Sequence, residues 1–292
     1  MNIGWIGTGI MGVAMAGRVQ AAGHALSLFN RSRAKAEPLL ARGARWCGSP
    51  AEVARGAEIV FTIVGFPADV EEIYFGRQGL FSSQPTTCAL LVDMTTSPPE
   101  LARRIALAAA TRGQAALDAP VTGGDIGARD GTLVIMVGGE PKAFERALPL
   151  LQLLGRNVAR VGGPGAGQQA KLVNQILIAG AMIGVCEALL VASRAGLDGA
   201  QLVTLLGEGA AGSWALQRLG PRLLRGDYAP GFMVEHFLKD LGLALREAAV
   251  LNLKLPGVEL AQQLYEKVRA RGHGRSGTQA LLLALEELKA QH

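Results

Sequence analysis

The sequence predicts an α/β domain followed by an all-α domain joined by a long helix, and three observations carry that reading. Short β-rich runs alternate with helical stretches throughout the first half. Most of these runs are nearly continuous in apolar residues, as expected of parallel strands buried on both faces. After Gly162-Gly163-Pro164-Gly165 the β-rich runs vanish and helical periodicity continues to the C-terminus. We therefore expect one domain over 1–163 and a second over 164–292.

Taken in order, the strand candidates are Asn2–Ile6, Ala25–Phe29, Glu58–Val64, Ala89–Asp93, Ala115–Asp118 and Thr132–Val137. Alternation of strand and helix over this length means an open α/β sheet. The helices between them carry start signals. Ser49-Pro50-Ala51-Glu52 reads as a capping box with proline at the first helical position, and Ser97-Pro98 repeats that grammar. Gln168–Ala195 reads as one long helix, about 40 Å at ~1.5 Å per residue. Gly196 ends it and Asp198 caps the next.

Apolar residues make up 49% of the chain and charged residues 18%. That supports a large core and excludes a disordered chain. The net charge of +5 comes from basic residues that never run longer than the pair Arg103-Arg104, and aromatics are only 5%. A nucleic-acid footprint would cluster its cations with aromatics interleaved, so the balance suits small anions instead. Cys47, Cys88 and Cys186 are far apart and odd in number. Neither a structural zinc nor a disulfide framework is expected. The most membrane-like stretch, Ile176–Ala192, is broken by Glu187 and two glycines, and the start of the chain has no basic segment leading into an apolar run. We expect a buried helix in a cytoplasmic protein with no membrane partner.

Gly7-Thr8-Gly9-Ile10-Met11-Gly12 follows the first strand and opens a helix. In that setting Gly7 allows the tight turn, Gly9 lets the backbone approach a pyrophosphate, and Gly12 lets helix pack on strand, with the helix N–H groups facing the anion. This is the grammar of a Rossmann-type dinucleotide site. At the end of the second strand an acidic residue would hold the ribose hydroxyls of NAD, but this chain has Asn30-Arg31-Ser32-Arg33. Asparagine does not repel a 2′-phosphate and arginine offers a planar fork of donors, so NADP(H) is favoured and NAD(H) is the alternative.

Hydride transfer needs a group that moves the hydroxyl proton. Cysteine and histidine ligands for zinc are not at usable spacing, and no metal is expected. Tyr74, Tyr228 and Tyr265 are not followed four residues on by lysine, and His24, His236, His273 and His292 stand beside no conspicuous polar cluster. Lysine remains. Lys171 opens the long helix within Gly167-Gln168-Gln169-Ala170-Lys171-Leu172-Val173-Asn174, and one turn puts Asn174 on its face. The helix dipole and burial both favour its neutral form. A second candidate is Asp118-Ala119-Pro120-Val121-Thr122-Gly123-Gly124, at a strand end where α/β ligands bind. Thr122 supplies a hydroxyl, and Gly123 and Gly124 leave amides open to a carboxylate; a plain glycine turn is the alternative.

These motifs resemble the β-hydroxyacid dehydrogenases, which include 3-hydroxyisobutyrate dehydrogenase, tartronate semialdehyde reductase and the glyoxylate/succinic semialdehyde reductases. The resemblance spans the chain through Gly7–Gly12, Asp93-Met94-Thr95-Thr96, Asp118–Gly124, Gly167–Asn174 and Phe237-Leu238-Lys239-Asp240-Leu241. It implies that Lys171 is the catalytic lysine and that Thr122, Gly123, Gly124 and Asn174 hold the substrate. Thr96 and Lys239 match cofactor contacts, Phe232 and Asp240 match pocket residues, and Asn30-Arg31-Ser32 resembles the NADP-preferring branch. Trp214 belongs either to the pocket or to the core. Thr122 departs from the serine of many members; the hydroxyl survives and the methyl narrows the pocket.

The expected reaction interconverts a short β-hydroxy acid and its semialdehyde. The expected partner is therefore a small carboxylate-bearing aldehyde or hydroxy acid, and the very apolar long helix points to a homo-dimer or homo-tetramer. The competing readings are an imine reductase-like enzyme and a non-catalytic NADP(H)-binding sensor or scaffold. Such relatives typically lack the lysine, so Lys171 counts against them.

Overall fold

The computed structural model describes residues 1–82 and 86–286, which leaves His292 outside the described residues. It divides into two compact units, Met1–Lys171 and the chain from Leu172 onward. The division falls inside the long helix, whose first turns are bonded to the sheet.

The first unit holds strands β1 (Asn2–Ile6), β2 (Ala25–Phe29), β3 (Arg45–Trp46), β4 (Ile59–Thr62), β5 (Leu90–Asp93), β6 (Ala115–Asp118), β7 (Val121–Thr122), β8 (Leu133–Gly138) and β9 (Gly155–Gly162). Helices α1 (Ile10–Ala21), α2 (Glu37–Leu40), α3 (Pro50–Gly56), α4 (Pro67–Phe75), α5 (Pro99–Ala110), α6 (Gly124–Asp130) and α7 (Pro141–Leu154) connect them. The strands form one sheet in the order β3-β2-β1-β4-β5-β6-β8-β7, with β9 parallel to β8. From β3 to β6 every pairing is parallel, and β8 runs antiparallel to β6 and β7. The order reverses between β1 and β4, where an open α/β sheet leaves its crevice.

The sheet is covered on both faces, which explains the continuous apolar runs. On one face Trp5 stacks on Phe61 at 5.3 Å and packs with Leu28, Val92 and α1 residues Met15 and Val19. On the other, Ile6, Val60 and Leu91 meet Val53 of α3 and Tyr74 of α4.

Ser49 caps α3 as expected, accepting the Glu52 N–H at 3.2 Å, while Glu52 reaches back to the Gly48 N–H at 2.7 Å. Ser97 does not cap. Pro98 is the residue before α5, and the buried Ser97 hydroxyl has no hydrogen-bond partner among the described residues. The Ser97 N–H donates to Gln168 Oε1 at 2.9 Å. Strands β3, β7 and β9 go beyond the sequence reading. The first two are only two residues long, and β9 is mostly exposed, with Arg156, Asn157 and Arg160 breaking any apolar run.

The second unit is helical: α8 (Ala166–Arg194, from Leu172), α9 (Gly199–Gly207), α10 (Trp214–Leu224), α11 (Val234–Val250), α12 (Pro256–Val268) and α13 (Leu281–Glu286). Phe237 and Tyr265 meet edge-to-face at 5.0 Å in its core, beside Met182, Cys186 and Leu241. Among the described residues α8 is the one helix long and apolar enough to cross a membrane by length and composition. Its Ala179, Met182 and Cys186 lie in this core, whereas Leu177 and Val191 are exposed. Gly196, in the left-handed region at φ 71, stops the helix, and the Asp198 carboxylate caps α9 through the N–H groups of Ala200 and Gln201. The three cysteines are free and buried, and burial pushes Cys88 up to about 11 and Cys186 to about 12.

Candidate active site

The glycine loop sits at the end of β1, beside the switch point. Gly7 has a φ of 99, and a side chain there would strike the Ile63 carbonyl after β4. A side chain at Gly12 would strike the Gly7 carbonyl, so both glycines are needed for the loop to close. A side chain at Gly9 would meet nothing within 4 Å. Gly9 precedes α1, which has no side-chain cap and no acidic residue in its first turn. Its leading N–H groups thus carry no side-chain cap, the arrangement that suits an anionic pyrophosphate. Ile10 is exposed at the helix start, and Met11 packs against the core.

Asn30 ties this loop to the end of β2. Its Oδ1 accepts the Thr8 N–H at 3.2 Å, and its Nδ2 donates to the Ser32 carbonyl at 2.8 Å. Arg31 is exposed and pairs with Asp69 at 2.9 Å. Ser32 is exposed beside it, and Thr96 is half-buried in the loop after β5.

Lys171 is buried, 6% exposed, in the second turn of α8. What fixes that turn is a set of polar contacts to the ends of β5 and β6. The Asp118 carboxylate accepts the N–H groups of Gly165 and Gln168, each at 2.8 Å. Burial pushes Asp118 above the usual carboxylate range, while those two donors pull it back. Gln168, fully buried, accepts from Ser97 N–H at 2.9 Å and donates to the Thr95 carbonyl at 2.7 Å. Thr95 is held in turn by the Asp93 carboxylate at 3.0 Å. A side chain at Gly167 would lie 2.5 Å from the carbonyls of Asp118 and Met136, so only glycine lets the helix start this close to the sheet.

Thr122 ends β7 and is half-buried, opposite Val134 of β8. Gly123 and Gly124 follow at φ 129 and 65, a conformation other residues avoid, and lead into α6.

The second unit holds the remaining residues. Asn174 Nδ2 donates to Gln175 Oε1 at 2.7 Å, and Gln175 Nε2 donates to Asp240 Oδ2 at 2.6 Å. The other oxygen of Asp240 pairs with the Lys239 ammonium at 2.9 Å. Asn174, Gln175, Asp240 and Lys239 thus form one polar chain, with Asp240 only 1% exposed. Phe232 stacks on His236 at 6.5 Å and meets Phe237 edge-on at 5.9 Å. Trp214 is 57% exposed, which excludes it from the core of this unit.

The sequence reading missed Gln168 and Gln175. Their only signal was an amide at a helix position that folding buries completely. Asp118 was read as part of a ligand-binding segment rather than as the anchor of α8.

The chain matches known proteins over its full length. Residues 2–163 match the NAD binding domain of 6-phosphogluconate dehydrogenase, and residues 165–285 match the NAD-binding domain of NADP-dependent 3-hydroxyisobutyrate dehydrogenase. The chain is 47% identical to the probable 3-hydroxyisobutyrate dehydrogenase-like 1 of Arabidopsis thaliana, over 98% of this chain and 86% of that protein. It is 40% identical to the 2-hydroxy-3-oxopropionate reductase of Escherichia coli, over 100% and 99%. A Mycobacterium tuberculosis 3-hydroxyisobutyrate dehydrogenase solved with L-serine superposes at a TM-score of 0.86, with 30% identity over 97% and 98% of the two chains. With a Rossmann-type sheet, an open helix N-terminus at the switch point and a lysine anchored beside the strand ends, the chain belongs to the β-hydroxyacid dehydrogenases, NAD(P)-dependent oxidoreductases acting on a CH–OH group.

Proposed function

We propose that this enzyme interconverts a short β-hydroxy acid and its semialdehyde, with Lys171 as general acid/base and NADP(H) preferred over NAD(H). The observation that carries the proposal is the anchoring of Lys171: a buried lysine whose helix start is held by Asp118 and Gln168 at the strand ends. The bound cofactor supplies or takes up a hydride at the substrate carbon. Gly7, Gly9, Ile10, Met11 and Gly12 hold its pyrophosphate, and Asn30, Arg31 and Ser32 hold its adenosine end. Thr96 and Lys239 add further contacts.

In reduction Lys171, as ammonium, donates its proton to the aldehyde oxygen. In oxidation, as amine, it removes the hydroxyl proton. Thr122 with the amides of Gly123 and Gly124 binds the substrate carboxylate, and Asn174, one turn beyond Lys171, adds an amide donor. Asp240 holds Lys239, and Phe232 and Trp214 shape the pocket. The relatives named for a small hydroxy acid or its aldehyde support this substrate class.

The domains we assign are a cofactor-binding domain over 1–163 and a substrate and dimerisation domain over 164–292. Exposed apolar residues on the helical unit, Leu177 at 70%, Val191 at 68% and Leu205 at 68%, support at least a homo-dimer. We read α8 as a core helix of a cytoplasmic enzyme that uses neither membrane nor nucleic acid. The test is NADPH oxidation at 340 nm with glyoxylate, succinic semialdehyde, methylmalonate semialdehyde and tartronate semialdehyde. Turnover of at least one is expected, and silence across the panel would favour a cofactor-binding sensor.

A further inference from the structure

The residue that reads the 2′-phosphate in the proposed function already has a partner. Arg31 Nη1 lies 2.9 Å from Asp69 Oδ1, with side chains 82% and 19% exposed respectively. Asp69 is the fixed member of the pair. It sits in the first turn of α4, where a carboxylate is favoured by the helix N-terminus, and its Oδ2 accepts the Phe66 N–H at 3.2 Å. Arg31, at the end of β2, is the member free to swing.

We propose that Asp69 is a resident counter-anion that sets how strongly this enzyme prefers NADP(H) over NAD(H). The proposal rests on the reading that Arg31 meets the 2′-phosphate. That phosphate brings close to two negative charges to a guanidinium whose charge Asp69 already offsets. It must share the guanidinium and lie near the carboxylate, or draw Arg31 away from it. The 2′-hydroxyl of NAD(H) brings no charge and incurs neither penalty. Asp69 therefore weakens the phosphorylated cofactor selectively and keeps the unphosphorylated one competitive. An ion pair whose arginine is this exposed is weak, so the exchange is cheap enough to be a tuning device and does not block NADP(H).

The test is calorimetric titration of the cofactor-free protein with NADP⁺ and NAD⁺, and with 2′,5′-ADP and 5′-AMP, which carry only the adenosine end. Asp69→Asn keeps an oxygen for the Phe66 N–H and removes the charge; if it melts early, Asp69→Ser repeats the test. Removing one screened charge at this range should tighten NADP⁺ and 2′,5′-ADP roughly three- to tenfold and leave NAD⁺ and 5′-AMP within about twofold. The gain should vanish when Arg31→Ala is added. Unchanged or weaker NADP⁺ binding in Asp69→Asn, or a gain that persists without Arg31, overturns the proposal while the reading of Arg31 stands. Equal weakening of both cofactors by Arg31→Ala alone overturns the reading itself, and the proposal with it.

Discussion

The Asp118 carboxylate accepts the Gln168 backbone N–H at 2.8 Å and so joins the end of β6 to the start of α8. A helix start leaves N–H groups without partners, and here a strand-end carboxylate takes two of them. Asp118→Asn would place an amide NH₂ against one of those N–H groups. We expect a stability loss of ~1–3 kcal/mol. Because Lys171 follows in the next turn, we also expect kcat to fall about ten- to a hundredfold through misorientation, with little change in cofactor affinity. Denaturant unfolding and steady-state kinetics check the two effects, and full kcat in a destabilised variant would uncouple the anchor from catalysis.

Lys171→Ala should abolish turnover while leaving NADPH affinity within a few-fold. Proton transfer by a positioned group contributes ~10²–10⁴-fold, and no other donor in the sequence suits the task. Fluorescence titration measures the binding and NADPH oxidation the rate. More than about a tenth of wild-type kcat would place the acid/base elsewhere.

Asp227 offers a test by pH away from the site. Arg222 donates to it at 2.8 and 3.1 Å and the Ala229 N–H at 3.0 Å, which together hold its pKa at about 2 rather than 3.8. The folded value is depressed, so the stabilisation is present above 3.8 and is lost as the pH falls through about 2. Asp227→Asn should flatten the stability curve across that window. The difference should shrink in high salt, because the pair is exposed. Urea midpoints across that window, at low and high salt, measure it.

Much of the first unit was readable because a two-faced sheet forces apolar runs such as Ile59–Thr62 and Leu90–Asp93, and because Gly7 and Gly12 are dictated by backbone contacts. Features that depend on pairing in space were not readable. The edge strand β9 carries exposed arginines and takes its place beside β8, and the Ser97 N–H finds its acceptor in Gln168, seventy-one residues away. The same holds at the site. Lys171 could be singled out from its neighbours, whereas the anchors Asp118 and Gln168 acquire their roles only when β6 meets α8. The pairing of Arg31 with Asp69 likewise needs the end of β2 and the start of α4 side by side.

The last prediction is that the substrate must carry a carboxylate close to the reacting carbon. Gly123 and Gly124, at φ 129 and 65, follow the half-buried Thr122. Successive amides in such a turn, with a hydroxyl beside them, are donors, and clustered donors select an anion over an alkyl group. In the proposed function Lys171 as ammonium adds to the bias, and Asn174 is assigned as another donor. A planar carboxylate suits so short a nest, whereas a phosphate would normally recruit arginine, and residues 118–127 contain none. A methyl ester removes the charge and leaves the donors without partners, at ~1–3 kcal/mol each. Semialdehyde acids should therefore exceed their methyl esters by at least about tenfold in kcat/KM, which a single lost donor already requires. Comparable rates for esters or simple aldehydes would sink the carboxylate site and turn the assignment toward a general aldehyde reductase.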